Sequence, residues 1–146
     1  MKRHSLPLTL TLILPLLLAN PAQAENPTQV KQLLSTGECF RCDLSGADLT
    51  GAHLIGADLR EANLQGANLN KVNLEGADLT GANLQGANLT AAYLTNASLN
   101  DANLNQVNLT RAIVNTADVA GASMLDLDLT EAHIYNTQIS VGGSYD

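Results

Sequence analysis

The chain predicts a solenoid that turns once every five residues, and three periodic features predict it. Every fifth residue from Leu44 to Ile139 is apolar and unbranched or branched aliphatic in shape: Leu at each step through Leu109, then Val114, Val119, Met124, Leu129, Ile134 and Ile139. Two residues before each stands a small residue, Ala at most steps, with Cys42, Val72, Val107 and Thr137 as variants and Leu127 as the bulky exception. Two residues after the central Leu comes Gly at 46, 51, 56, 66, 76, 81 and 86. A five-residue step rotates an α-helix by about 500°, a net of roughly 140°, so the leucines would spiral around it and form no common face. In a continuous strand an odd step sends successive leucines to opposite faces. Burying the whole series therefore requires the chain to turn within every repeat. Gly fits the third position of a type II turn, which needs positive φ. The same slot later holds Ala91, Asn96, Asp101, Gln106, Arg111 and Thr116, which predicts mixed turn types in the second half.

Blocks such as Ala47-Asp48-Leu49-Thr50-Gly51 and Ala87-Asn88-Leu89-Thr90-Ala91 carry a resemblance. With Asp or Asn before most central aliphatics, residues 40 to 141 resemble the pentapeptide repeat family. The resemblance implies an all-β solenoid: a right-handed quadrilateral β-helix, one repeat per side, of about five coils. The central aliphatics would stack inside with Ala packed beside them, and aromatics are scarce because a narrow interior has no room for them. Stability in such a tower is nearest-neighbour, and its ends need covers.

The segments are justified in chain order. Lys2, Arg3 and His4 precede an apolar run, Leu6 to Leu18, and Ala22-Gln23-Ala24 offers small residues for cleavage. Residues 1–24 read as a secretory signal peptide of the general export type, since the run is too short for a membrane span and has no twin arginine. The whole chain has 14 acids and 7 bases; removing residues 1–24 takes two bases and no acids, leaving a net charge of −9. That balance opposes nucleic-acid binding, which needs a basic surface.

Residues 25–38 predict a short N-terminal capping helix. Asn26 would be its N-cap, Pro27 its first residue, Gln29 the reciprocal capping side chain, and Gly37 its stop. Val30, Leu33 and Leu34 would form the apolar stripe that covers the open first coil, whose unpaired edges otherwise invite aggregation.

Cys39-Phe40-Arg41-Cys42 holds both cysteines of the chain. In an exported protein a structural disulfide between Cys39 and Cys42 is the leading reading, pinning the cap to the first coil. A dithiol redox centre would need a helix N-terminus after the first Cys, whereas the helix precedes it. A zinc site would need two further ligands.

Residues 39–141 form the repeat domain, and 142–146 a short C-terminal tail. With four repeats to a coil, as the resemblance implies, positions twenty apart stack into columns. One face carries an amide ladder, Asp43, Asn63, Asn83, Asn103 and Ser123, suited to turn stabilisation. The next pairs Asp48, Asn68, Asn88, Asn108 and Asp128 with Thr50, Asn70, Thr90, Thr110 and Thr130, a single interrupted threonine column. The third bears His53, Asn73, Tyr93, Ile113 and His133 beside Ile55, Glu75, Thr95, Asn115 and Tyr135. There Ile55, Tyr93, Ile113 and Tyr135 break the polar rule and are the candidate partner-binding residues. His53 and His133 are four coils apart, roughly 19 Å, too far to share a metal ion. The fourth face gathers Asp58, Glu61, Asp78, Asp101 and Asp118 around Arg60, without a clustered calcium loop.

No nucleophile–base arrangement, phosphate loop or metal motif is present, and no cofactor is expected. The sequence therefore points to a non-enzymatic exported scaffold or protein-interaction module whose partner is a protein. A redox-responsive module through Cys39 and Cys42 and an acidic macromolecular mimic are the alternatives. The stretch from Cys39 to Ala47 resembles exported cyanobacterial members of the family, which implies the periplasm or the thylakoid lumen. Degenerate repeats beyond Leu109 are expected to cap the far end, or to pair two copies end to end; a monomer and such a dimer both remain open.

Overall fold

A computed structural model describes residues 26–139; the expected signal peptide and the tail at 142–146 lie outside them. The repeats form a β-helix with a 20-residue coil. Parallel bridges join each residue before a central aliphatic to its counterpart twenty positions on, from Asp43↔Asn63 and Asp48↔Asn68 through Asn103↔Ser123 and Asn108↔Asp128. Most sides of the coil touch the next through a single bridge. Among the described residues regular strands occur on one side only, where β1 (Ile113–Asn115) pairs in parallel with β2 (His133–Tyr135).

Each repeat spends its backbone groups in the same way. Leu44 N–H donates to Asn63 O at 2.7 Å, and Asn63 N–H donates back to Cys42 O at 2.8 Å. The turn closes locally, Ala47 N–H to Leu44 O at 3.1 Å, and its third residue donates across the coil, Gly46 N–H to Gln65 O at 2.9 Å. The central residues from Leu44 to Val119 are buried together with the Ala, Cys or Val residues that precede them by two, except Ala52, which is half-buried.

The expectation of mixed turn types is wrong. Glu61, Lys71, Ala91, Asn96, Asp101, Gln106, Arg111 and Thr116 all sit at φ between 53° and 59°, and the glycines of the first half at 65° to 70°. A left-handed conformation costs an L-residue about 1–3 kcal/mol. The cost is met because that conformation aims the slot's N–H at the next coil: Lys71 to Thr90 O and Arg111 to Thr130 O, both 2.9 Å, match the glycine turns. A different turn would forfeit this bond and the register it fixes.

Helix α1 (Pro27–Thr36) lies where the sequence placed it, with Asn26 as N-cap and Gly37 left-handed at its end. Asn26 Oδ1 accepts from Gln29 N–H at 3.3 Å. Two expectations are corrected here. The Gln29 side chain does not reach back to Asn26; its Oε1 accepts from Asp43 N–H at 2.7 Å, a first-coil donor with no coil beneath it. Of the apolar stripe, Leu33 is buried and Val30 packs against the core, but Leu34 is 55% exposed. A three-residue step places Val30 and Leu33 on the covered side, and Leu34, one position on, falls on the outer side with Pro27 and Lys31. Among the described residues no helix is long and apolar enough to cross a membrane.

Candidate functional site

The four faces differ in how far their side chains are already occupied. On the first face two amide oxygens take two bonds each: Asn63 Oδ1 accepts from Gln65 N–H and from the Asn83 side chain, both at 3.3 Å, and the pattern repeats at Asn83. On the second face Asn88 Nδ2 reaches Asn68 Oδ1 at 3.3 Å, and the hydroxyls of Thr50, Thr90 and Thr130 each donate at 2.6 Å to the Asp or Asn two residues earlier. The threonine column is thus turned inward on its own turns. Hydroxyl donation from Ser45, Thr50 and Thr130 is the largest cause holding the carboxyls of Asp43, Asp48 and Asp128 below the usual range, followed by the backbone amides of the same residues.

The N-terminal part of the acidic fourth face is also internally matched. Arg60 forms an ion pair with Asp58 at 2.6 Å and approaches Asp78 at 3.9 Å, while Arg41 pairs with Glu61 at 2.6 Å. The Arg60 hydrogen bond holds Asp58 below its ordinary pKa, and Asp58 raises that of Arg60. Ser98 interrupts the acids between Asp78 and Asp118. Among the described residues no group of three acids, cysteines or histidines is placed to hold a metal ion.

Phe40 was missed in the sequence reading. Its exposed ring lies 4.8 Å from the Arg41 guanidinium carbon and 5.4 Å from that of Arg60. Such contacts contribute about 0.5–1 kcal/mol at an exposed site. The signal was available, since Phe40 and Arg60 are twenty apart in the same column. Beneath this cluster the Cys39 and Cys42 sulfurs sit at bonding distance, 2.02 Å, both buried.

The third face is the exception. Tyr93 and Ile113 are bridged neighbours on successive coils, and Ile113 pairs in turn with His133. Tyr93 is 47% exposed and Ile113 37%. Tyr135, 74% exposed, pairs with Asn115 on the same side and so extends the pair toward the C-terminal end. Ile55 does not join them: Asn73 follows His53 in register, and the coil of Asn73 and Glu75 intervenes before Tyr93. The structure thus brings three of the four candidates together. Asn115 Oδ1 is buried without a hydrogen-bond partner among the described residues, an uncompensated cost beneath this face and, being shut from solvent, no handle for a ligand.

Comparison with known proteins adds the family. The family profile described as Pentapeptide repeats (8 copies) matches residues 38–76 and 73–111. A pentapeptide repeat protein from Nostoc PCC 7120 is 32% identical over 80% of this chain and 96% of its own, with a TM-score of 0.42. One from the thylakoid lumen of Arabidopsis thaliana is 29% identical over 69% of this chain and 71% of its own, with a TM-score of 0.33. HetL, a pentapeptide repeat protein involved in heterocyst differentiation regulation from Nostoc sp. strain PCC 7120, is 28% identical over 73% and 67% respectively, with a TM-score of 0.35. No curated protein sequence matches the chain.

Proposed function

Because the chain belongs to the pentapeptide repeat family, a family of structural repeat scaffolds, we propose that it is a non-enzymatic, exported protein-interaction module that docks a protein partner on the face of Tyr93, Ile113 and Tyr135. In this reading the tower is a right-handed quadrilateral β-helix of about five coils, capped by α1. Residues 1–24 are a signal peptide cleaved after Ala24, and the compartment is the periplasm or the thylakoid lumen. The Cys39–Cys42 bridge is structural, and the burial of both sulfurs supports that role over a redox one.

One observation carries the docking reading. Tyr93 and Ile113 are stacked and exposed on adjacent coils, whereas the other exposed large apolar residues of the tower stand singly: Phe40 against Arg60, Ile55 beside Glu75 and Leu125 beside Asn105. Contiguous exposed apolar surface rimmed by polar residues marks interaction sites. The test is recovery of partners from the protein's own compartment by the mature chain and by a Tyr93→Ser, Ile113→Ser variant of unchanged thermal midpoint. The reading expects at least a tenfold drop in recovery; equal recovery contradicts it. Amino-terminal sequencing of exported protein is expected to begin at Glu25, and a thiol count after denaturation without reductant is expected to find no free thiol.

A further inference from the structure

We propose that oxidation of Cys39 and Cys42 after export is the step that closes the N-terminal end of the tower: the bridge completes an outermost repeat and seats α1 upon it, a proposal that rests on the export reading above. Its ground is the register of the two cysteines. Cys39 stands five residues before Leu44 and is buried like that leucine. Its backbone is spent as a central residue spends it. Cys39 N–H donates to Asp58 O at 2.8 Å, Asp58 N–H donates back to Gly37 O at 2.9 Å, and Cys42 N–H closes the turn on Cys39 O at 3.2 Å. Arg41 takes the left-handed slot at φ 58° and donates to Arg60 O at 2.9 Å. Residues 37–41 are therefore a full repeat. Cys39 holds the place of its central Leu, and Cys42 that of the small residue opening the next.

Elsewhere those two places hold Leu and Ala, as at Leu44 and Ala47 or Leu64 and Ala67. Cys is smaller than Leu, so an unjoined Cys39 underfills a slot that packing would otherwise close. This repeat also has a coil on one side only. On the other lies α1, held by Leu33, by the Gln29 acceptor for Asp43 N–H at 2.7 Å and by Gln32 Nε2 donating to Glu38 O at 2.9 Å. The Cys39 sulfur lies 3.6 Å from the Gln29 carbonyl oxygen, which places the bridge under the helix. A short disulfide loop gains only modest stability. At the end of a nearest-neighbour tower a modest gain is decisive, because terminal elements open locally at small cost while the coils behind them stay shut.

The burial of both sulfurs sets the order of events. A protein disulfide donor of an oxidising compartment reaches them only with α1 lifted, so exchange comes first and seating follows. The thiolate of one cysteine attacks the donor disulfide and releases one donor thiolate. The thiolate of the other then displaces the donor's second sulfur. Cys39 and Cys42 end oxidised to the bridge, the donor ends reduced to two thiols, and the two cysteine protons pass to it. The seated helix then shields the bridge from reductants.

The test is amide hydrogen exchange of the mature chain, refolded either oxidised or under a phosphine reductant, and of a Cys39→Leu, Cys42→Ala variant that restores the common residues of the repeat. In the reduced chain the α1 amides from Val30 to Thr36 are expected to exchange at least tenfold faster than in the oxidised chain, with Leu69 and Leu89 unchanged. A protein disulfide donor should restore protection as the free thiols vanish. The Leu–Ala variant should keep α1 protected under reductant. Equal protection of α1 in the reduced and oxidised chains overturns the proposal. So does lost protection at Leu69 and Leu89, which would make the bridge a staple of the whole tower, or an unprotected α1 in the variant, which would deny the slot-filling role. The export reading fails separately: amino-terminal sequencing that finds Met1 removes the compartment and leaves the exchange result standing.

Discussion

The two ends of the tower solve the same problem differently. At the N-terminal end α1 lays Leu33 over the first coil, Gln29 supplies an acceptor to Asp43 N–H, and Leu44 is fully buried. At the C-terminal end the repeats simply thin out. Met124, Leu129, Ile134 and Ile139 are only half-buried. Leu104 and Leu109 donate to Ser123 O and Asp128 O at 2.8 Å, but Met124 and Leu129 N–H have no such partner among the described residues. A covered end turns a repeat into core, whereas among the described residues the last repeats stay half at the surface.

The largest effect that sharpens this contrast is loss of a central side chain. Leu69→Ala, in the closed middle, is expected to lower stability by about 2–5 kcal/mol, as for a fully buried Leu. Leu129→Ala, in the half-buried last coil, is expected to cost only about 1 kcal/mol, because part of its surface is already in water. Denaturant titration of the mature chain checks both; equal losses would mean that the last coil is as closed as the middle. Gln29→Ala comes next. It leaves Asp43 N–H without its acceptor and is expected to cost about 1–3 kcal/mol, with faster hydrogen exchange confined to α1 and the first coil.

A smaller effect separates the glycine-rich first half from the second. Ala91 and Gly56 share the left-handed slot at φ 55° and 66°, and a Cβ at Gly56 meets nothing within 4 Å. Ala91→Gly is expected to gain about 0.5–1 kcal/mol and Gly56→Ala to lose a similar amount, through the backbone alone. Opposite signs in thermal melts support the uniform turn; a loss in both would show that Ala91 is not strained.

The smallest effect is acid sensitivity. Asp43, Asp48, Asp58 and Asp128 all have depressed pKa values in the folded chain. Folding therefore binds fewer protons than the unfolded chain in this range. The contribution is complete above the unfolded value of about 3.9 and is lost as pH falls through the lower folded values. Thermal midpoints should hold from about pH 7 to 5 and fall below about pH 4. Asp128→Asn, which copies Asn68, Asn88 and Asn108 of its column, should leave most of that acid limb intact, because the first coil retains Asp43, Asp48 and Asp58.

Much of this was legible in the residues. The fivefold series located every central aliphatic, Asn26 and Gly37 bounded the helix, and the twenty-residue columns placed Tyr93 beside Ile113. What escaped depends on contacts between coils. Local preference at Lys71 or Arg111 argues against positive φ, but the bond to the next coil decides it. Gln29 looked like a helix cap because the competing donor, Asp43 N–H, is fourteen residues away. Phe40 looked like part of a cysteine motif until Arg60 was stacked upon it.

The central claim is that one face of four receives a partner. A photo-crosslinking residue placed at Ile113, and separately at Asn63 on the amide-ladder face, tests it in the native compartment. A discrete higher-mass adduct from position 113 and none from position 63 is the predicted result. Adducts of equal yield from both positions, or from neither, would contradict it.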